Sequence, residues 1–166
     1  MNLSFRTVTE NDFDFLLRVS AGTREQEKAL FRWADCAWDR FIRMQFALQH
    51  QYYRQQFPEA DYAIIYLGGT PVGRLYVNHG EDEIRIIDIA LLPEFRNRGI
   101  GTGILRSLIS RAENQQISVR LFVEQSNPSL RLYHRLGFRA RETAGVYYHL
   151  ERPPAHPLSP VRADTT

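Results

Sequence analysis

The chain has 166 residues, 43% hydrophobic and 24% charged, as expected for one globular domain. Its net charge of +2 and the lack of an apolar run near ~18 residues argue against nucleic acid and membrane partners. Cys36 is the only cysteine, which excludes an internal disulfide and a cysteine-based zinc site. Because the first residues also lack an apolar signal core, we expect a cytoplasmic protein.

The first third of the chain predicts one strand followed by helices. Residues 3–8 alternate between apolar and polar side chains and predict a strand. Thr9 with Asp12 forms a capping signal for a short helix that continues through Val19. A long helical stretch, broken once, is predicted over residues 24–56.

Apolar side chains recur at helical spacing within that stretch and predict the face that packs on the core. They are Leu30, Ala34, Ala37, Phe41, Met44 and Leu48. Cys36 lies beside them and is interpreted as a buried structural thiol.

The rest of the chain alternates strands and helices, which predicts a mixed α/β domain around one sheet. Strands are predicted over residues 61–67, 72–78, 83–91, 118–124, 138–142 and 145–150, and helices over 99–114 and 128–136. The isoleucine-rich strand 83–91 is predicted to be central and buried on both faces. We expect one domain over residues 1–152 and a Pro-rich mobile tail over residues 153–166.

The segment from Leu91 to Gly103 carries the most chemical information. A buried strand ends at a proline, a short basic loop follows, and glycines then begin a helix. Glycines let a ligand approach the backbone closely, and the free N–H groups of a helix start suit a pyrophosphate. Arg96 and Arg98 add positive charge for the same anion.

Three glycine patterns compete for this segment. A dinucleotide fingerprint needs a third glycine where Ile104 stands, and a P-loop needs a lysine that the segment lacks. The acetyl-CoA signature Arg/Gln-x-x-Gly-x-Gly/Ala is matched in full by residues 96–101. A helix with incidental glycines is the remaining alternative.

With its flanks, the sequence resembles the GCN5-related N-acetyltransferase (GNAT) family over roughly residues 61–150. Residues 88–101 look like the family's central strand, pyrophosphate loop and helix start, and residues 127–138 are similar to its second motif, Asn…Tyr…Gly-Phe. The resemblance implies a mixed, mostly antiparallel sheet flanked by helices and splayed between its fourth and fifth strands. It also implies acetyl-CoA as cosubstrate.

The resemblance assigns roles to individual residues. It implies that CoA contacts Ile89, Ala90, Leu91, Arg96, Asn97, Arg98, Gly99, Ile100, Gly101, Thr102, Gly103 and Asn127. It implies that Tyr133 protonates the departing thiolate. The alternative for Tyr133 is an aromatic ring that only packs on the helix face.

The base that deprotonates the acceptor amine is expected among the carboxylates of the central strand. Asp88 stands in an otherwise apolar run, where an unpaired charge is costly, so it is either paired structurally, with Arg74 or Arg85, or kept for function. Glu83 lies at the exposed strand start and is interpreted as a turn residue. The histidines show no metal-ligand spacing, and no metal site is expected.

These features predict an N-acetyltransferase that moves acetyl from acetyl-CoA directly to the primary amine of a small molecule or peptide. The alternative from another class is a CoA-binding sensor or interaction module without turnover. The sequence does not specify the amine, the acyl-chain preference or the oligomeric state, and a homodimer stays open.

Overall fold

In the computed structural model, which describes residues 1–155, seven strands form one sheet in the order β1-β2-β3-β4-β5-β7-β6. The strands are β1 (Leu3–Thr7), β2 (Asp61–Leu67), β3 (Thr70–His79), β4 (Glu83–Leu91), β5 (Ser118–Glu124), β6 (Arg139–Ala144) and β7 (Tyr147–Arg152). Only the β4–β5 pair among them is parallel. The predicted mixed, mostly antiparallel sheet is therefore confirmed.

Five helices flank this sheet in the described part of the chain. They are α1 (Phe13–Thr23), α2 (Glu25–Phe31), α3 (Asp35–Gln56), α4 (Ile100–Gln115) and α5 (Leu130–Arg135). Ile104 and Leu105 of α4 pack with Leu75 and Val77 of β3 on one face of the sheet. On the other face, α1 and α3 pack against Ile64 of β2. Each face thus has its own apolar layer.

The sheet opens between β4 and β5. The two strands pair only from Glu83 with Ser118 to Ile86 with Leu121. Beyond that point β4 continues to pair with β3 as far as Leu91, while β5 pairs with β7 as far as Glu124. The splay expected from the family resemblance is present, and it leaves one edge of β4 unpaired.

Two predictions about the helices are wrong. The residues of α3 that are buried are Trp38, Ile42 and Phe46, whereas Leu30, Met44 and Leu48 of the predicted stripe are more than half exposed. Cys36, expected to be buried, is exposed. Both apolar series recur at helical spacing, so periodicity alone could not choose which one faces the core.

Strand β4 is central as predicted, but it is not buried on both faces. Residues 83–86 alternate between partly exposed and buried, and residues 87–89, where the pairing with β5 has ended, are all partly exposed. No helix within residues 1–155 is long and apolar enough to cross a membrane. Residues 156–166, most of the predicted tail, lie outside the described part of the chain.

Candidate active site

The predicted phosphate loop has the backbone that a close ligand approach requires. Asn97 and Gly99 adopt positive φ angles of 58° and 80°, and α4 begins directly afterwards at Ile100. A Cβ atom built on Gly101 would meet no atom within 4 Å. The first N–H groups of a helix have no partner inside it. The start of α4 therefore offers free N–H donors at Ile100, Gly101 and Thr102, beside the open space at Gly101.

The two arginines of this loop have different surroundings. Arg96 donates from Nε to the Leu91 carbonyl at 3.0 Å and from Nη2 to the Gly22 carbonyl at 2.8 Å. Arg96 therefore ties the loop to the end of β4 and to α1. The Arg98 guanidinium lies 5.4 Å from the centre of the Phe95 ring and stays at the surface.

The third glycine of the segment has another environment. Gly103 donates its N–H to the Gly99 carbonyl at 2.9 Å, and its missing Cβ would point to the Met1 side chain at 3.8 Å. It thus lies on the side of α4 that faces β1. Its contact with CoA stays a prediction.

A glycine that the sequence analysis did not single out shapes the unpaired strand edge. Gly73 of β3 lies opposite the end of β4, where a Cβ would be 2.2 Å from the Ala90 carbonyl oxygen. That distance is too short for any side chain. Because position 73 is a glycine, β3 can pair closely with Ala90 and Leu91 along one edge of β4. The opposite edge of β4, which faces β5, remains unpaired there.

A cavity of about 290 Å³ lies where the sheet opens. Five residues predicted from the sequence line it: Asp88, Ile89, Ala90, Asn127 and Tyr133. The structure thus brings together the two predicted catalytic residues and the strand end, while residues 96–103 form the adjoining loop outside the cavity.

Asp88 is held in the floor of the cavity by Arg74. Nε and Nη2 of Arg74 both lie 2.7 Å from Oδ2 of Asp88, and Nη1 donates to Oγ of Ser20 at 2.7 Å. Burial opposes the charge of Arg74, but the nearby Asp88 outweighs it, so the pKa of Arg74 is raised. The structural pairing that the sequence left open is therefore present, with Arg74 and not with Arg85.

Tyr133 is 6% exposed, and its ring packs edge-on against Phe138 at 5.7 Å. Burial, with a contribution from the charge of Asp88, raises the pKa of the Tyr133 phenol to about 12. The phenol is therefore protonated near neutral pH and can serve as a donor.

The side-chain amide of Asn127 already makes one hydrogen bond, through its oxygen. The backbone N–H of Ser129 donates to Asn127 Oδ1 at 2.8 Å, just before α5. This contact assigns the oxygen of the amide and leaves Nδ2 as a donor toward the cavity that Asn127 lines.

The first three helices supply the cavity wall that sequence reasoning missed. Gln45, Gln49 and Tyr53 line it at helical spacing of four on α3, and Tyr147 of β7 also lines the cavity. Burial and the charge of Asp88 raise the pKa of Tyr53. The glutamines beside the apolar positions Ile42 and Phe46 were a usable signal, since they mark the face of α3 that turns from core to cavity.

Within residues 1–155, no group of three His, Cys, Asp or Glu side chains could hold a metal ion. The polar groups of the cavity include amide, phenol, carboxylate and guanidinium. Such a set can donate to, accept from and orient an organic substrate.

Comparison with known proteins gives a family and a fold. Residues 27–138 match the family model described as Acetyltransferase (GNAT) family. No curated protein matches the chain.

Solved structures of similar fold include three acetyltransferases. PaiA N-acetyltransferase from Thermoplasma acidophilum, solved with coenzyme A, is 18% identical with a TM-score of 0.68, over 92% of this chain and 99% of that chain. An acetyltransferase from Thermus thermophilus is 20% identical with a TM-score of 0.63, over 92% and 97%. The ribosomal-protein-S18-alanine N-acetyltransferase from Escherichia coli is 19% identical with a TM-score of 0.58, over 96% and 99%. At these identities the likeness extends to the fold alone.

Proposed function

The chain belongs to the acetyltransferase (GNAT) family, and on this premise we propose that it transfers acetyl from acetyl-CoA directly to a primary amine. The main observation behind the proposal is that two features lie next to each other where β4 and β5 separate. One is the unpaired edge of β4 at Ile89 to Leu91, and the other is the cavity that contains Tyr133, Asn127 and Asp88.

Two backbone features support the proposed binding of CoA. The pantetheine arm carries amides, which can pair as an added strand would with backbone groups on the open edge of β4 between Ile89 and Leu91. The Leu91 carbonyl itself already accepts from Arg96. In this proposal, Nδ2 of Asn127 donates to the same arm. The pyrophosphate takes the donors at the start of α4, with charge from Arg98.

The remaining loop residues complete the proposed CoA site. Asn97 and Gly99 supply the left-handed turn, and Gly101 supplies the open space. Arg96 holds this loop to β4 through the Leu91 carbonyl. The full proposed set is Ile89, Ala90, Leu91, Arg96, Asn97, Arg98, Gly99, Ile100, Gly101, Thr102, Gly103 and Asn127.

In the proposed reaction, the neutral amine nitrogen attacks the thioester carbonyl carbon. The C–N bond forms, the C–S bond breaks, and the leaving sulfur receives the proton of the Tyr133 phenol. The proton that the attacking nitrogen loses as it becomes an amide passes through water and restores the phenol. A strand N–H of the open β4 edge donates to the carbonyl oxygen while negative charge develops there. No covalent enzyme intermediate is needed.

The acceptor must lose a proton before it attacks, since an ammonium group is not nucleophilic. Oδ2 of Asp88 is occupied by Arg74, whereas Oδ1 accepts no hydrogen bond from the described residues. We propose that Oδ1 receives the acceptor ammonium, directly or through water, and serves as base or anchor.

The test is an assay of thiol release from acetyl-CoA with a panel of primary amines, read together with mass spectrometry of the acetylated amine. Amine-dependent thiol release that matches acetylated product supports the proposal. CoA binding without release for any amine would instead favour the non-turnover CoA-binding module. Residues 1–152 as the single catalytic domain and a cytoplasmic location remain predictions, and the possibility of a homodimer stays open.

A further inference from the structure

A second recess lies on the other face of the sheet, between α4 and strands β1 to β3. Its volume is about 580 Å³, within the range of small-molecule sites. We call it the α4 groove. Asp88, Asn127 and Tyr133 do not line it, so it is separate from the proposed active site.

The floor of the α4 groove is aliphatic. Leu75 and Val77 of β3 and Ile104 of α4 are buried there, and Leu108 lies beside them. Side chains that would fill the recess are missing at two lining positions, Ala63 and Gly103. The small residues at these positions leave the recess deep, with an apolar surface at its bottom. Such a surface favours a ligand that has a hydrocarbon part.

One end of the groove is polar and the other is apolar. Gly103 lies at the apolar end near the Met1 side chain. Arg111 and His79 of β3 line the other end. Burial lowers the pKa of the His79 imidazole, the charge of Arg111 lowers it further, and Asp61 opposes the shift. Arg111 stands eight positions after Gly103 on α4, a rise of about 12 Å along the helix.

The polar end carries an excess of positive charge. Among the described residues, neither Arg54 nor Arg111, which both line the groove, has a carboxylate within 4.0 Å. The Arg54 guanidinium is stacked 3.9 Å from the centre of the Tyr62 ring, so Arg111 is the arginine that the proposal uses. The one lining carboxylate is Asp61, which lies 3.4 Å from Nε2 of His79. The third lining arginine, Arg6, is already paired with Asp12.

We propose that the α4 groove binds an aliphatic carboxylate of medium chain length. The hydrocarbon chain lies on Leu75, Val77 and Ile104, and the carboxylate lies at the end marked by Arg111. A straight chain of about ten carbons is similar in length to the ~12 Å rise between Gly103 and Arg111 on α4. A purely polar anion would leave the aliphatic floor in water, and an amine would meet the arginines with the same charge.

Decanoate is the probe, titrated into the full chain without CoA by calorimetry and by amide chemical-shift mapping. Decanol and decylamine are the ligand controls. We expect saturable decanoate binding with shifts at α4 and β3, weaker binding of decanol, and weakest binding of decylamine. Arg111→Gln should weaken decanoate binding by about tenfold or more and leave decanol unchanged. Arg106→Gln, an exposed arginine on the same helix that does not line the groove, is the matched control.

Ser107→Trp, an exposed position of α4 that lines the groove, is a second variant that should abolish binding of both decanoate and decanol by filling the recess. Several results would overturn the proposal: no saturable decanoate binding, equal binding of all three ligands, or an effect of Arg106→Gln as large as that of Arg111→Gln. Shifts at groove residues that depend on protein concentration without ligand would mean that a second copy occupies the groove, which also overturns it.

Discussion

Arg74 and Asp88 form an ion pair inside the cleft, with Nε and Nη2 of Arg74 both 2.7 Å from Oδ2 of Asp88. The Arg74 side chain is 4% exposed and the Asp88 side chain 18%. The pair explains how a carboxylate stands among isoleucines on β4. It also orients Asp88, because a guanidinium that holds one oxygen fixes the direction of the other.

Breaking this pair should destabilise the fold. Arg74→Gln leaves the Asp88 carboxylate without its counter-charge, and a buried pair that loses one partner typically costs about 3 kcal/mol or more. The measurement is the free energy of unfolding in urea. The control is Arg18→Gln, since the Arg18–Glu94 pair is 4.0 Å apart with side chains 66% and 55% exposed, and it should cost no more than about 0.5 kcal/mol.

Asp88→Asn tests the role of Asp88 in proton transfer while it keeps the hydrogen bond to Arg74, because the amide oxygen of asparagine can still accept from that guanidinium. A folded Asp88→Asn protein that binds CoA should show a lower kcat/KM and lose the acidic limb of its pH profile. An unchanged rate and pH profile would remove Asp88 from proton transfer and leave it a structural role only.

A β-carbon at Gly101 should block the approach of the CoA pyrophosphate. In the free protein that β-carbon meets nothing within 4 Å, and valine is a better helix former than glycine. Gly101→Val should therefore fold normally and bind CoA tenfold or more weakly, about 1.4 kcal/mol by titration calorimetry. Ser110→Val, at an exposed position on the same helix, should leave the affinity unchanged, and equal affinities for both variants would mean that the loop does not hold CoA.

The strands could be predicted closely from sequence, and the buried face of α3 could not. Strands β2, β4 and β5 have the predicted limits, because glycine and proline mark the neighbouring turns. The glycine loop, Asn127 and Tyr133 were found because each belongs to a short local motif. Ser20 reaches Arg74 only through tertiary packing, which no local pattern encodes. The same packing decides that Asp88 pairs with Arg74 and not with Arg85, which the sequence left open.

The corrected face of α3 can be tested by truncating one residue from each apolar series. Phe46 is 4% exposed and Leu48 is 57% exposed. Phe46→Ala removes a buried ring and should cost about 3 to 5 kcal/mol of unfolding free energy. Leu48→Ala should stay within about 0.5 kcal/mol. If Leu48→Ala cost as much as Phe46→Ala in urea unfolding, the exposed series would be covered in solution.

Asp12 should make stability fall in acid. Its carboxylate accepts from Arg6 Nη2 at 2.6 Å and from the Thr9 N–H at 2.7 Å. The hydrogen bond from Arg6 lowers the pKa of Asp12 to about 2, and burial opposes the shift. Because the folded-state pKa lies below the usual value, the stabilisation is complete above about pH 4 and is lost as the pH falls toward 2.

The size of this contribution is on the order of 1 to 2 kcal/mol, because the partner Arg6 is 44% exposed and screened by solvent. Unfolding free energies at neutral and acidic pH measure it. Asp12→Asn should be less stable at neutral pH and lose less stability in acid than the unmodified protein. The control is Asp14→Asn, at an exposed position of α1, and an acid response of Asp12→Asn as steep as that of this control would contradict the assignment.

Tyr133→Phe removes the proposed proton donor while it keeps the ring. The ring contact with Phe138 at 5.7 Å does not involve the hydroxyl, so the fold and the CoA site should persist. Without the phenol the thiolate must leave unprotonated, and kcat should fall by roughly 10²-fold with the CoA dissociation constant nearly unchanged. Steady-state kinetics and CoA calorimetry on the same preparation measure the two quantities.

A fall in kcat without a change in the CoA dissociation constant distinguishes a proton donor from a residue that only packs. A ring that only packs against Phe138 would keep its function in Tyr133→Phe, so kcat would survive. Tyr133→Ala would then act through loss of packing, with lower stability and weaker CoA binding together. Tyr52→Phe, an exposed tyrosine on α3, controls for removal of a phenol elsewhere and should leave kcat unchanged. Full activity in Tyr133→Phe would assign leaving-group protonation to water or another residue, because the ring alone has no proton to give.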